Sequence, residues 1–165
     1  MLFVVSLLLF FLVSAVFSQE NVENPQQMSG DFWISPGAEI ALYGKTGPAY
    51  GGSIAVGYGS GTSIGIKAAY FYDPEDLTIL EINFQLRWYF MGRTTNGPFI
   101  QFGCGPVFIA QGTNPFDTTA NTASISAALY IGWRIPLGSR FFLEPNIRAG
   151  YPFFAGASLS AGLNF

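Results

Sequence analysis

The sequence contains no histidine and only one cysteine, and both scarcities narrow the chemistry open to the chain. Without histidine, catalytic triads and dyads that use a histidine base are excluded, as are histidine-based metal sites. Cys104 alone forms neither an intrachain disulfide nor a multi-cysteine metal site. A pair of carboxylates from Glu39, Glu81 or Glu144 stays formally open as an acid and a base, but neighbouring cations favour the ionised form of each. We therefore expect no enzyme activity, no cofactor and no bound metal.

Charge is also scarce, since charged residues make up 10% of the chain and the net charge is −3. No cluster of basic residues exists, so the sequence gives no reason to expect a nucleic-acid partner. Half of the 165 residues are hydrophobic, yet no apolar run outside the N-terminus is long enough for a transmembrane helix. Abundant glycine, phenylalanine and tyrosine favour a single β domain that exposes apolar and aromatic surface.

The N-terminus has the features of an export signal. Residues 2–17 form an apolar run that ends in small residues, which predicts a secretory signal peptide over 1–18, cleaved after Ser18. No lysine or arginine precedes the run; the alternative is a retained membrane anchor, for which the run is short. The polar segment 19–30 is predicted to be a flexible lead-in to a domain over 31–165.

The stretch from Leu77 to Phe90 alternates between an apolar and a polar face. Successive side chains of a strand point to opposite faces, so the pattern predicts one apolar and one polar wall. A helix would scatter Glu81 and Arg87 around an otherwise apolar cylinder. The stretch is far longer than the about 5–6 residues of an ordinary strand. It is also longer than the about 9–11 residues that a tilted strand needs to cross a bilayer.

The same alternation recurs seven more times, which gives eight predicted strands. They cover 32–43, 50–58, 63–72, 77–90, 100–111, 124–134, 141–151 and 155–165. Short turns join them, and the regular spacing predicts an all-β, eight-stranded antiparallel up-and-down barrel, because closure removes every sheet edge. Pro106 and Pro145 lie inside predicted strands, where a bulge at either would change which way the following residues face.

The distribution of charge indicates which wall faces outward. Every charge in a predicted strand falls on the polar wall, whereas a soluble ligand-binding barrel needs a polar exterior. An arginine that faces lipid at mid-membrane costs about 2–4 kcal/mol, so one-sided charge is what a membrane would impose. We therefore predict a transmembrane barrel whose lumen holds a polar network. Its members are Glu39, Lys67, Glu81, Asn83, Gln85, Arg87, Gln101, Arg134, Glu144, Asn146 and Arg148.

The lumen of an eight-stranded barrel is only wide enough for its side chains to fill it. We expect the charged residues to pair, with Lys67 next to Glu81 or Asn83, and with Arg148 and Glu39 in the same half of the barrel. Such a paired network would plug the lumen. The alternative is a gated polar pore.

Aromatic residues on the outward wall cluster near strand ends. Two girdles at the membrane interfaces produce this pattern. The predicted girdle residues are Tyr50, Tyr58, Tyr70, Tyr72, Trp88, Phe90, Trp133 and Tyr151.

From residue 30 to its end, the chain resembles the small outer-membrane β-barrels, the eight-stranded group that contains the OmpA membrane domain, OmpX and OmpW. The most specific part of the resemblance is the last strand, which alternates Leu159, Ala161 and Leu163 and ends on Phe165. In that family such a strand is read by the outer-membrane barrel assembly machinery. The resemblance implies location in the cell outer membrane, contact with its lipid, and this machinery as a partner.

Two functions stay open at this stage. The first is a monomeric structural or surface-interaction component of the cell envelope, with a charged and largely plugged lumen. The second is a narrow channel for small solutes or small hydrophobic molecules. The charged lumen argues against an apolar passage, and the small bore argues against a general porin. The loop at 112–122 is the one segment long enough for sizeable recognition.

Overall fold

The computed structural model describes residues 30–44, 47–73, 77–91, 96–111 and 122–165. The predicted signal peptide and nearly all of the predicted lead-in lie outside these residues, as does the loop at 112–122 except for its last residue. No helix among the described residues is long and apolar enough to cross a membrane.

Eight antiparallel strands form one closed barrel. They are β1 (Asp31–Tyr43), β2 (Gly47–Gly59), β3 (Thr62–Asp73), β4 (Leu77–Tyr89), β5 (Gly97–Gln111), β6 (Thr122–Leu137), β7 (Phe141–Tyr151) and β8 (Phe153–Asn164). Each strand pairs with its neighbours in the sequence, and β1 pairs with β8 to close the sheet. The predicted eight-stranded up-and-down barrel is confirmed.

The two ends of the barrel differ. At the terminal end, β1 begins and β8 ends, and the backbone N–H of Phe165 donates to the carbonyl oxygen of Phe32 at 2.8 Å. Their rings also pack, with centroids 5.8 Å apart. The opposite end, here called the loop end, is where the segments between β1 and β2, β3 and β4, β5 and β6, and β7 and β8 connect the strands.

Pro106 and Pro145 lie inside strands and do not shift the pairing register there. Around Pro106, Glu81 pairs with Val107 and Phe84 pairs with Cys104, so both strands advance by the same number of residues. The β6–β7 register is likewise unchanged across Pro145. Neither proline carries the bulge that the sequence allowed, so the inward and outward assignments hold on both sides of each.

Side-chain exposure alternates along the strands as a closed barrel with an apolar exterior requires. In β4, Phe84 is 64% exposed, whereas the neighbouring Asn83 and Gln85 are 0% and 5% exposed. Among the charged residues that the structure describes, only Asp31 and Arg140 are not buried. The outside is therefore apolar, and every described strand charge except that of Asp31, at the start of β1, is buried.

Aromatic side chains fill the narrow lumen by lying over glycines of the adjacent strand. The register pairs are Trp33 with Gly57, Phe71 with Gly51, Phe99 with Gly132 and Phe142 with Gly162. At each of these glycines an added Cβ atom would overlap the ring that lies across from it. The inward glycines thus leave space for the aromatic rings.

This packing predicts that Gly57→Ala destabilises the barrel by about 1–3 kcal/mol, because the new methyl group overlaps the Trp33 indole. Urea unfolding of the refolded barrel in detergent micelles measures the loss. The matched control is Gly52→Ala on the same strand, where a Cβ atom has one neighbour, the Gly37 carbonyl oxygen at 3.7 Å. Equal unfolding midpoints for the two variants would contradict the packing argument.

Candidate functional site: the lumen

An apolar layer lies in the lumen near the loop end. Its buried members are Ala41, Ala49, Ala69, Phe71, Ile79, Val107 and Phe153, with Tyr43 and Ile109 packed against them. Phe71 and Phe153 form its centre, with ring centroids 4.5 Å apart. The alternation of polar and apolar residues did not predict this layer. Its signal in the sequence is the presence of large apolar residues, such as Phe71 and Ile79, on the polar wall near strand ends.

Below that layer lies the middle ion cluster, formed by Glu39, Lys67, Glu81 and Arg148. Arg148 donates two hydrogen bonds to the Glu81 carboxylate, at 2.7 and 2.8 Å, in a bidentate pair. Lys67 pairs with Glu39, and Arg148 Nη1 lies 3.9 Å from Glu39 Oε2. All four side chains are buried, and their formal charges cancel.

The neighbour of Lys67 on β4 is one of the two that the sequence predicted. Lys67 lies opposite Asn83 in the register, but its ammonium group pairs with Glu39 rather than with Glu81. The Glu81 carboxylate is bound by Arg148. Arg148 and Glu39 do lie in the same half of the barrel, nearer the loop end.

Near the terminal end lies a second group, the terminal ion cluster of Arg87, Arg134 and Glu144. Glu144 Oε1 accepts hydrogen bonds from Arg87 Nη1 at 2.7 Å and from Arg134 Nε at 2.5 Å. Arg87 also donates to Gln101 Oε1 at 2.7 Å and to the Tyr89 hydroxyl at 2.8 Å. The three charged side chains are at most 5% exposed.

Aromatic rings help two arginines share one carboxylate. The guanidinium carbon of Arg134 lies 3.7 Å from the Phe142 ring centroid, and that of Arg87 lies 4.1 Å from Phe99 and 4.7 Å from Trp33. A desolvated cation–π contact contributes about 2 kcal/mol or more. The sequence pattern predicted aromatic residues only in the outward girdles. It did not predict these rings inside the lumen.

The remaining predicted lumen residues lie in and around the two clusters. Gln85 and Gln101 are buried between them, and Asn146 is partly buried on the same level. Asn83 Oδ1 accepts a hydrogen bond from the Ser126 hydroxyl at 2.5 Å. The structure therefore brings all eleven residues to the inner wall and joins seven of them in ion pairs.

The outward residues singled out in the sequence lie in two bands. Tyr58, Trp88, Phe90 and Trp133 lie near the terminal end, whereas Tyr50, Tyr70, Tyr72 and Tyr151 lie near the loop end. Their side chains are exposed, except that Trp88 is half-buried. On β8, Leu159, Ala161 and Leu163 also face outward, and the adjoining Phe165 is 71% exposed.

A metal centre has no candidate in the part of the chain that the structure describes. There, no group of three or more Cys, Asp and Glu side chains is arranged so that it could hold a metal ion. The carboxylates of the lumen are instead engaged by arginine and lysine.

Comparison with known proteins finds its matches among solved structures. No family model and no curated protein matches the sequence. The N-terminal β-barrel domain of Pseudomonas aeruginosa OprF superposes with a TM-score of 0.56 at 17% identity, over 85% of this chain and 100% of that one. This is the fold of the small eight-stranded outer-membrane barrels.

Two further members of that group show the same fold. The outer membrane protein OprG of Pseudomonas aeruginosa superposes with a TM-score of 0.59 at 13% identity, over 84% of this chain and 97% of that one. Ail of Yersinia pestis, in complex with the heparin analogue sucrose octasulfate, gives 0.58 at 13% identity, over 84% of this chain and 100% of that one. At such identities the likeness establishes the architecture alone.

Proposed function

We propose that the chain is an integral outer-membrane barrel with a closed lumen, which acts as a structural or surface-interaction component of the cell envelope. One observation carries the proposal: the described strands bury their charges inside and expose large apolar side chains outside. Ile64, Phe84 and Ile125, for example, are 65%, 64% and 73% exposed. A soluble protein rarely exposes so continuous an apolar surface, whereas lipid covers it at no cost.

The two aromatic bands fit the same placement. Tyrosine and tryptophan favour the membrane–water interface, where the ring is apolar and its polar atom reaches water. We assign the band with Tyr58 and Trp133 to one interface and the band with Tyr50 and Tyr151 to the other. The apolar side chains between them then lie at the depth of the lipid tails.

The order of layers along the barrel supports a closed lumen. A permeating solute would meet the apolar layer around Phe71 and Phe153, then the middle ion cluster and finally the terminal ion cluster with its aromatic rings. Each layer is formed by buried side chains from several strands. This packing favours the structural or surface-interaction function over the narrow channel.

The charge of the loop end bears on possible surface partners. The connections at that end contain one basic residue, Lys45, and the acidic residues Glu75, Asp76 and Asp117. Ail was solved with a polysulfated sugar, a ligand that demands positive charge. The acidic excess here makes a polyanion of that kind a poor partner for this chain.

The closed lumen predicts that the purified barrel conducts almost no current in a planar bilayer, because its side chains occupy the width of the lumen. The measurement is a conductance record at several voltages, with a known porin inserted in the same bilayer as the positive control. A steady current through the unmodified protein would contradict the closed lumen and favour the narrow channel.

Location and assembly are tested together through the last strand. In the wild type we expect heat-modifiable, folded protein in the outer-membrane fraction. Leu163→Asp places a charge on the apolar wall, opposite Phe141 and Ile34, and should strongly reduce the folded fraction while synthesis and export continue.

The matched control is Asn164→Asp on the same strand, whose side chain accepts a hydrogen bond from Arg134 and so meets a cation. Normal amounts of folded Leu163→Asp protein in the outer membrane would mean that this strand does not face lipid. Wild-type folded protein that is recovered without detergent would exclude the membrane location itself.

A further inference from the structure

A small cavity lies between the two ion clusters. Its volume is about 20 Å3, and its wall is polar. Hydroxyl, amide and phenol groups line it, among them those of Ser53, Ser158, Ser160, Gln85, Asn146 and Tyr130. Residues of both clusters, Lys67 and Arg87 among them, form other parts of the wall.

Besides the two Glu39 oxygens, which lie in ion pairs, three oxygen atoms on this wall have no hydrogen-bond partner within the described part of the chain. They are Gln85 Oε1, the Tyr130 hydroxyl and Asn146 Oδ1. Gln85 is 5% exposed and Tyr130 is 1% exposed, so bulk water does not reach them freely. A buried oxygen without a donor loses the hydrogen bond that it had in water, which destabilises the fold. The cavity therefore needs a hydrogen-bond donor.

We propose that this cavity is a binding site for water, with room for one or two molecules. A buried water needs about 10–15 Å3 of accessible space and two to four polar partners, and the cavity supplies both. A water bound here would donate hydrogen bonds to the side-chain oxygens of Gln85 and Asn146. It would accept one from the Tyr130 hydroxyl.

The electrostatics of the wall favour a neutral ligand over an ion. Glu39 and Glu144 offset Lys67 and Arg87 within the wall, and each of these groups already has an ionic partner. A cation would therefore lie close to Lys67 and Arg87 with no free carboxylate to hold it. An anion would face unpaired acceptor oxygens and two carboxylates. Water offers donors and acceptors and brings no charge.

Such water would hydrate the lumen between the two ion clusters. The apolar layer around Phe71 and Phe153 would still close the lumen at the loop end. The inference rests on the geometry of the lumen and does not depend on the membrane location.

Nuclear magnetic resonance of the folded barrel in deuterated detergent micelles tests the site. Water molecules that stay bound longer than the tumbling time give cross-peaks of the same sign as those of the protein. We expect such cross-peaks to the side-chain amide protons of Gln85 and Asn146. Ser158→Leu, opposite both Glu39 and Asn146 in the register, should fill the cavity, remove these cross-peaks and lower the urea unfolding midpoint.

The matched control is Ser158→Ala, which keeps the space and should keep the cross-peaks. Because it alters the wall least, it also keeps the test valid if the leucine variant does not fold. Absence of long-lived water cross-peaks in the wild-type barrel would overturn the proposal, as would an unchanged or raised midpoint in folded Ser158→Leu. Saturable shifts of the Gln85 and Asn146 amide signals when chloride replaces gluconate would show a bound anion instead and would equally overturn it.

Discussion

Glu144→Gln is expected to lower the free energy of unfolding of the barrel by about 3–5 kcal/mol, because breaking a buried ion pair leaves uncompensated charge in the interior. Glu144 is the one carboxylate that Arg87 and Arg134 share, so its loss leaves two buried cations. Glutamine has nearly the same shape, which isolates the effect of charge from that of a cavity. Urea unfolding in micelles, followed by tryptophan fluorescence and by heat modifiability, measures the loss.

A second variant and a control show that the cause is electrostatic. Adding Arg134→Met to Glu144→Gln should recover part of the loss, since one orphan cation disappears and a methionine packs against Phe142. Arg140→Met removes an exposed cation in the turn at the same end and should change stability by no more than about 0.5 kcal/mol. If Glu144→Gln is no less stable than Arg140→Met, the terminal ion cluster does not stabilise the barrel.

The sequence was sufficient for the architecture because its two-residue period is a local property. In β4 the polarity of each residue indicates which wall it faces. Eight such segments of similar length favour a closed barrel, because a closed sheet has no open edges. Strand ends were less certain: β6 continues through Pro136 to Leu137, beyond its predicted end at 134, since a proline near a strand end costs little pairing.

The two-residue period does not predict which side chains meet across the lumen. Alternation shows that Lys67 faces inward, but which carboxylate it meets depends on the closed shape, which brings β1 and β3 side chains together across β2. The same holds for Glu144 of β7, which meets Arg87 of β4. The apolar layer was missed for another reason: Phe71 and Ile79 share the inward wall with charged residues, and a whole-strand pattern does not resolve layers along the axis.

A substitution in the middle ion cluster gives the second large expected loss of stability. The second substitution that recovers this stability shows which residues are paired. Glu81→Gln should lower the free energy of unfolding by about 3–5 kcal/mol, less where lumen water reaches the orphan cation.

Arg148 makes the bidentate pair with Glu81, so adding Arg148→Met should recover part of the loss. Adding Lys67→Met instead should recover less, because Arg148 then keeps only the longer 3.9 Å contact with Glu39 in place of its bidentate pair. The double-mutant cycle is measured by urea unfolding in micelles, with Arg148→Met and Lys67→Met alone as the matched single variants. Recovery by Lys67→Met and none by Arg148→Met would show that Glu81 is paired with Lys67 in the folded barrel, and the assignment of pairs in this cluster would be wrong.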